Sequence, residues 1–115
     1  MLRLIKSFGY AIKGIVLLLT TEKNFMIHAI AAIAVIIAGF CFNVNPSEWC
    51  ILFICIAMVF TAEGFNTAIE KLTDIVSPDQ NEKAGVIKDM AAGAVLIAAV
   101  ITVIIALIIF IPKIS

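Results

Sequence analysis

Apolar residues run through this chain in long blocks, and the breaks between blocks divide it into four segments. In the first, Leu2, Ile5, Phe8, Ile12 and Ile15 fall largely on other sides of a helical wheel from Arg3, Lys6, Tyr10 and Lys13, whose spacings are three, four and three. This predicts an amphipathic helix over 2–19 lying in a membrane interface, its cationic face toward water and lipid phosphates. Two roles stay open for it, an anchor alone or a helix whose polar face also closes over a site. Gly9 and Gly14 admit close approach by another backbone or a ligand.

Thr20-Thr21-Glu22-Lys23-Asn24 interrupts the apolar pattern. Thr20 or Thr21 is expected to cap the next helix, with Glu22 in its first turn against the positive end of the dipole. Residues 25–42 follow, eighteen positions whose only strongly polar member is His28. They suffice for a short transmembrane helix, and His28, one turn inside it, reads as interfacial packing rather than a ligand. The 43–48 segment, Asn-Val-Asn-Pro-Ser-Glu, is a tight turn in which Asn45 is an N-cap, Pro46 the first helical residue and Glu48 the reciprocal capping acid. The next helix runs from there to about Val76, roughly 46 Å at ~1.5 Å per residue, which exceeds a hydrocarbon core of ~30 Å. Glu63 is therefore expected near the far edge of the core, with Glu70 and Asp74 projecting beyond it. After a turn rich in Ser, Pro, Asp and Asn, the chain is helical from Ala84, and 90–111 is an uncharged span ended by Pro112-Lys113. Ala91, Ala94 and Ala98 make a small-residue stripe suited to close helix packing.

Composition agrees with lipid as the main solvent: 63% of the 115 residues are hydrophobic and 14% charged, far outside the soluble range. The formal net charge of zero and the lack of a basic tract give no reason to expect nucleic acid as a partner. Cys41, Cys50 and Cys55 lack metal-ligand spacing and read as apolar packing residues. The N-terminal charges are interspersed rather than grouped ahead of an apolar core, so this segment is expected to remain in the mature protein. Arg3, Lys6, Lys13 and Lys23 precede the first span and Lys71, Lys83 and Lys88 flank the second loop, whereas the 43–48 turn has no basic residue. The N-terminus and the 71–88 region are thus expected in the cytoplasm. The result is an all-α membrane protein of one domain over 1–115, with a surface helix at 2–19 and spans at about 25–42, 47–70 and 88–111.

This topology draws distant acids to one interface. Seven of the eight, all but Glu48, fall on the cytoplasmic side. Glu63, Asn66, Glu70 and Asp74, spaced three, four and four, share one narrow helical face. An acid inside a span costs about 2.5–3.5 kcal/mol, so Glu63 marks a functional site unless it is a snorkelling carboxylate paired with a lysine. Clustered carboxylates suit Mg²⁺, which takes one or two of them and completes its shell with phosphate oxygens and water. Lys88, Arg3 and Lys6 offset phosphate charge, and the deepest acid, Glu63, is the candidate base for a lipid headgroup hydroxyl. The arrangement suits phosphoryl transfer. No G-x-x-x-x-G-K-[ST], G-x-G-x-x-G or H-R-D motif occurs, which excludes the soluble kinase folds. The residues alone stop at a metal-dependent membrane enzyme, with a small proton-coupled transporter subunit using Glu63 as its coupling carboxylate as the alternative.

Glu63-Gly64-Phe65-Asn66-Thr67-Ala68-Ile69-Glu70, followed by Lys88-Asp89-Met90-Ala91-Ala92-Gly93-Ala94-Val95-Leu96, resembles the prokaryotic diacylglycerol kinase family across essentially the whole chain. The resemblance implies a homotrimeric lipid kinase of the bacterial inner membrane, with three spans, an N-terminal surface helix and sites shared between subunits. It would use ATP and Mg²⁺ to phosphorylate a lipid alcohol, undecaprenol or diacylglycerol. Carried over residue by residue, it implies Glu63 as general base, Glu22 and Glu70 as ligands of the Mg²⁺ that accompanies ATP, and Asn66 as the active-site amide beside the substrate. Arg3 and Tyr10 correspond to N-terminal nucleotide contacts, and Lys88 and Asp89 to contacts on the phosphate and ribose side. The 79–81 loop matches a nucleotide-binding loop in position but not in residues. The Thr21-Glu22-Lys23-Asn24-Phe25 start, His28, Ala91-Ala92-Gly93 and the Phe110-Ile111-Pro112-Lys113 ending look more like the undecaprenol kinase branch, since the diacylglycerol branch often has Ser where Ala92 stands.

Overall fold

The four apolar blocks form four helices in a computed structural model that describes residues 1–79 and 81–115; Gln80, within the 79–81 loop, lies outside the described residues. They are α1 (Leu2–Thr21), α2 (Lys23–Cys41), α3 (Pro46–Val76) and α4 (Glu82–Ile114). No strand occurs among the described residues. The last three helices are long and apolar enough to cross a membrane. The architecture is thus the all-α one that the apolar blocks predict, three candidate spans preceded by an N-terminal helix.

The α1–α2 junction differs from expectation. Thr20 and Thr21 do not cap α2; both stay inside α1, where their hydroxyls donate to the carbonyl oxygens of Val16 at 2.8 Å and Leu17 at 2.6 Å. Each hydroxyl bonds back to the preceding turn, the pattern of a threonine inside a helix rather than at its cap, where the backbone is extended. Glu22 alone leaves the helical conformation, with φ −107° and ψ 110°, and occupies the N-cap position of α2 without a side-chain cap bond. Its carboxylate is left to face α3. Helix α1 has no buried residue and packs on α2. Nothing lies within 4 Å of the positions where Gly9 and Gly14 lack a Cβ, so within one chain no backbone makes the close approach they would admit. Near its C-terminal end Leu18 comes to within 3.6 Å of the Cβ position that Gly64 of α3 lacks.

The α2–α3 turn follows the sequence closely. Glu48 N–H donates to Asn45 Oδ1 at 2.8 Å, and Asn45 N–H donates to Glu48 Oε1 at 3.0 Å, a complete capping box with Pro46 at the first position. Asn43 adopts a left-handed φ of 52°, which asparagine tolerates better than most residues. Helix α4 starts at Glu82, two residues earlier than the sequence suggests, because Asn81 caps it by accepting from Ala84 N–H at 2.8 Å. It also continues through Pro112 to Ile114. Proline there forfeits only its own donor in the final turn, and Lys113 anchors that turn by pairing with Glu48 at 3.0 Å.

Helix α3 is the central element, packed on α2 along one side and α4 along another. Two ion pairs mark the ends of the antiparallel α3–α4 hairpin: Glu48 with Lys113 at one, Asp74 with Lys88 at the other. The buried core is small, built on Val44, Leu52 and Ile109 with Val35, Trp49, Ile105 and Phe110 against it. Most large apolar side chains instead face outward, as a lipid solvent allows. Of the small-residue stripe, Ala98 is buried and Ala91 half-buried, while Ala94 is exposed.

Gly39 is buried because the Trp49 indole occupies the space a Cβ would fill. That ring is in turn held between Phe40 and Phe53, at centroid distances of 4.9 and 5.6 Å. Gly39→Val is therefore expected to displace the indole and destabilise the helical hairpin by about 1–3 kcal/mol, the usual cost of overpacking. Because Trp49 is the only tryptophan, intrinsic fluorescence reads the displacement directly; an unshifted spectrum and unchanged Tm in detergent would refute it.

Candidate active site

The acidic end of the molecule is assembled on the polar stripe of α3. Glu63, Asn66 and Thr67 are the buried polar residues of the described chain, and Glu63 is only 4% exposed. Further along the same face Glu70 is half-buried and Asp74 exposed. The stripe thus grades from apolar surroundings to open surface over three turns. A helix of this length achieves that because its first fourteen residues after the turn, 49–62, are apolar or nearly so and the acids begin only at its second half.

Other elements bring partners to this stripe. From the second turn of α2, His28 Nε2 stands 3.6 Å from Glu63 Oε2. The α1–α2 junction contributes Glu22, whose Oε2 lies 3.7 Å from Lys71 Nζ and 3.3 Å from the Thr21 hydroxyl oxygen. Within α3, Asn66 Nδ2 donates to Glu70 Oε1 at 3.3 Å. Asn66 Oδ1 is buried with no hydrogen-bond partner, an acceptor whose desolvation costs about 1–3 kcal/mol when left unmade. From the start of α4, Lys88 Nζ donates to Asp74 Oδ1 at 2.6 Å. A half-enclosed cleft of about 250 Å³ adjoins this end. It begins at His28 and runs along the bundle between Ala31, Ala32 and Phe60 on one side and Ala99 and Thr102 on the other, with an almost wholly apolar lining.

Of the residues singled out in the sequence, Glu22, Glu63, Asn66, Glu70 and Lys88 thus share one end of the molecule. Arg3, Tyr10 and Asp89 are exposed, and among the described residues their side chains form no hydrogen bond or ion pair. The three cysteines are free, Cys55 buried and Cys41 and Cys50 exposed. Among the described residues no three His, Cys, Asp or Glu side chains converge as an all-protein metal cage. His28 is the residue whose place the sequence reading missed, since it faces Glu63 rather than serving only to pack the interface. The signal was present: an ionisable side chain in an otherwise apolar span carries the same cost argument for histidine as for glutamate. Its partner, thirty-five positions away, was not legible from spacing.

Residues 9–110 match the pattern that defines the prokaryotic diacylglycerol kinase family. The chain is 46% identical over 111 residues to an undecaprenol kinase of Bacillus subtilis, covering 96% of this chain and 90% of that one. It is 37% identical over 103 residues to a diacylglycerol kinase of Synechocystis, covering 89% of this chain and 59% of the relative. A diacylglycerol kinase of Escherichia coli K12 is 30% identical over 102 residues, 89% of this chain and 84% of that one.

Proposed function

From a chain that belongs to the prokaryotic diacylglycerol kinase family, and is therefore a lipid kinase, we propose an enzyme that moves the γ-phosphoryl group of ATP to the hydroxyl of undecaprenol at the cytoplasmic face of the bacterial inner membrane. The single observation that carries the chemistry is a carboxylate, Glu63, buried at the start of a run of polar groups and set against His28, which lines an apolar cleft. A group so placed meets both a lipid hydroxyl arriving from the bilayer and a nucleotide arriving from water. Family membership favours phosphoryl transfer over the proton-coupled transporter that the same carboxylate would serve.

In this reading Glu63 takes the proton from the lipid hydroxyl as its oxygen attacks the γ-phosphorus, and ADP leaves on the opposite side. Asn66, whose Oδ1 is a buried acceptor without a partner, borders the place of the lipid headgroup, while the hydroxyl proton itself is directed to Glu63. Lys88, freed from Asp74, and Asp89 contact the phosphate and ribose side of the nucleotide, and Arg3 and Tyr10 reach it from α1. The donor set suits Mg²⁺: Glu22 and Glu70 are hard oxygen ligands, and Glu22 is not spent on capping α2. Its contact with Lys71 is a partly exposed pair at 3.7 Å, of a kind worth about 0–1 kcal/mol and readily exchanged. When bound there with ATP, Mg²⁺ would neutralise phosphate charge. A homotrimer with sites shared between subunits would bring to the acids Arg3, Tyr10 and Asp89, which are exposed and without side-chain partners among the described residues of one chain. The choice of undecaprenol rests on the higher identity to the relative that bears that name.

Labelled phosphate from ATP should appear in extracted lipid when membranes hold the wild-type chain. Glu63→Gln should lower that transfer by about 10²–10⁴-fold, the range of a lost general base, while ATP binding survives; efficient transfer by this variant would remove Glu63 from the role. Glu22→Ala and Glu70→Ala should each raise the Mg²⁺ concentration needed for half-maximal rate, and the metal assignment fails if neither does. Purified protein given undecaprenol and diacylglycerol side by side should show the higher kcat/KM on undecaprenol; a preference for diacylglycerol would overturn the substrate but leave the base intact.

A further inference from the structure

The lysines nearest the acidic end already have carboxylate partners, Lys71 at Glu22 and Lys88 at Asp74. Among the described residues, the side chain set against Glu63 from another helix is the imidazole of His28 of α2, with Nε2 at 3.6 Å from Oε2. The two side chains come from antiparallel helices that meet here, and both are held in place. Glu63 is buried, and the side chain of His28 is 22% exposed, at the mouth of the apolar cleft. Phe25, one turn before His28, is buried with its ring centroid 5.0 Å from that of Phe60, one turn before Glu63, which fixes the register of the two helices at this level.

A carboxylate that serves as a base must present one oxygen to the incoming hydroxyl in a set orientation, and a free glutamate side chain has several rotamers to choose from. A donor on the other oxygen removes that freedom. Neutral imidazole supplies one N–H, which the histidine can place on Nε2. The 3.6 Å gap is just beyond the usual hydrogen-bond range, and such contacts in substrate-free sites commonly tighten when the reactants enter. We infer that His28 is a positioning residue for Glu63: its Nε2–H holds Oε2, so that Oε1 faces the lipid hydroxyl at the end of the cleft. Because it lines the cleft as well, the same ring bounds the space that the first carbons of the lipid chain occupy. This inference rests on the reading of Glu63 as the base.

The test compares His28→Leu, which keeps apolar bulk at the cleft and removes the donor, with His28→Gln, which restores an N–H at similar reach. His28→Leu should lower kcat by about 10²-fold, the scale of a misplaced catalytic group, with the KM for ATP unchanged. His28→Gln should recover most of the loss. Should His28→Leu not fold, His28→Met takes its place, with Tm in detergent and ATP KM confirming a native site. A wild-type kcat for the apolar variant would overturn the inference. Equal losses in the apolar and glutamine variants would also overturn it, since they would assign the effect to ring shape rather than to the donor. Failure of the base reading itself is read separately, from Glu63→Gln alone retaining transfer.

Discussion

A carboxylate at the edge of a hydrocarbon layer has few ways to be tolerated, and the arrangement of this molecule follows from that constraint. Glu63 sits on the central helix, against His28 of α2, and it is buried where most large apolar side chains of the same chain are not. In a lipid-solvated bundle, an outward leucine costs nothing but an outward glutamate at membrane depth costs several kcal/mol. The inward side of α3 is therefore the polar side. Asn66 and Thr67 follow Glu63 onto it, one turn later and equally buried. Polar groups are concentrated inside one end of the bundle, and the apolar cleft opens beside them.

Helix order then does the gathering. Short turns at 42–45 and 77–81 make α2, α3 and α4 successive antiparallel neighbours, so the start of α2, the end of α3 and the start of α4 lie at one end. Glu22, His28, Glu63, Glu70, Asp74 and Lys88 come together by that alternation. The opposite end carries the Asn45–Glu48 capping box, the Glu48–Lys113 pair, the small core around Val44, Leu52 and Ile109, and the aromatic packing of Trp49. One end is thus built to hold the helices together and the other to leave groups available. Asn66 Oδ1 without a partner and Glu22 without a cap are both on the available end.

What was hard to read in the chain has a common cause. Threonines at 20 and 21 offer a cap as Asn45 does, yet Asn45 caps and they do not, because α1 continues through both, their hydroxyls bonded one turn back, and Glu22 takes the extended N-cap position. Pro112 has the look of a helix end, but the last turn tolerates a lost donor and Lys113 is tied down across the bundle by Glu48. His28 reads as packing because nothing near it in sequence is acidic except Glu22, six positions earlier. In each case a competing partner, near or far, decided between two locally acceptable choices. The ladder of Glu63, Asn66, Glu70 and Asp74 needed no such partner, since helical periodicity alone puts the four on one face.

The sequence by itself determined the solvent, the number of helices, the turn at Asn45 and the face of α3 on which polar atoms gather, because length, apolarity and period act within a few turns of one segment. Only the tertiary structure decided that His28 meets Glu63, that Glu22 faces Lys71 rather than its own helix, and that the same His28 lines an apolar cleft. Those are contacts between segments thirty-five and forty-nine positions apart. Their distances depend on the angle and register at which helices pack, and the side chains of three helices together set these.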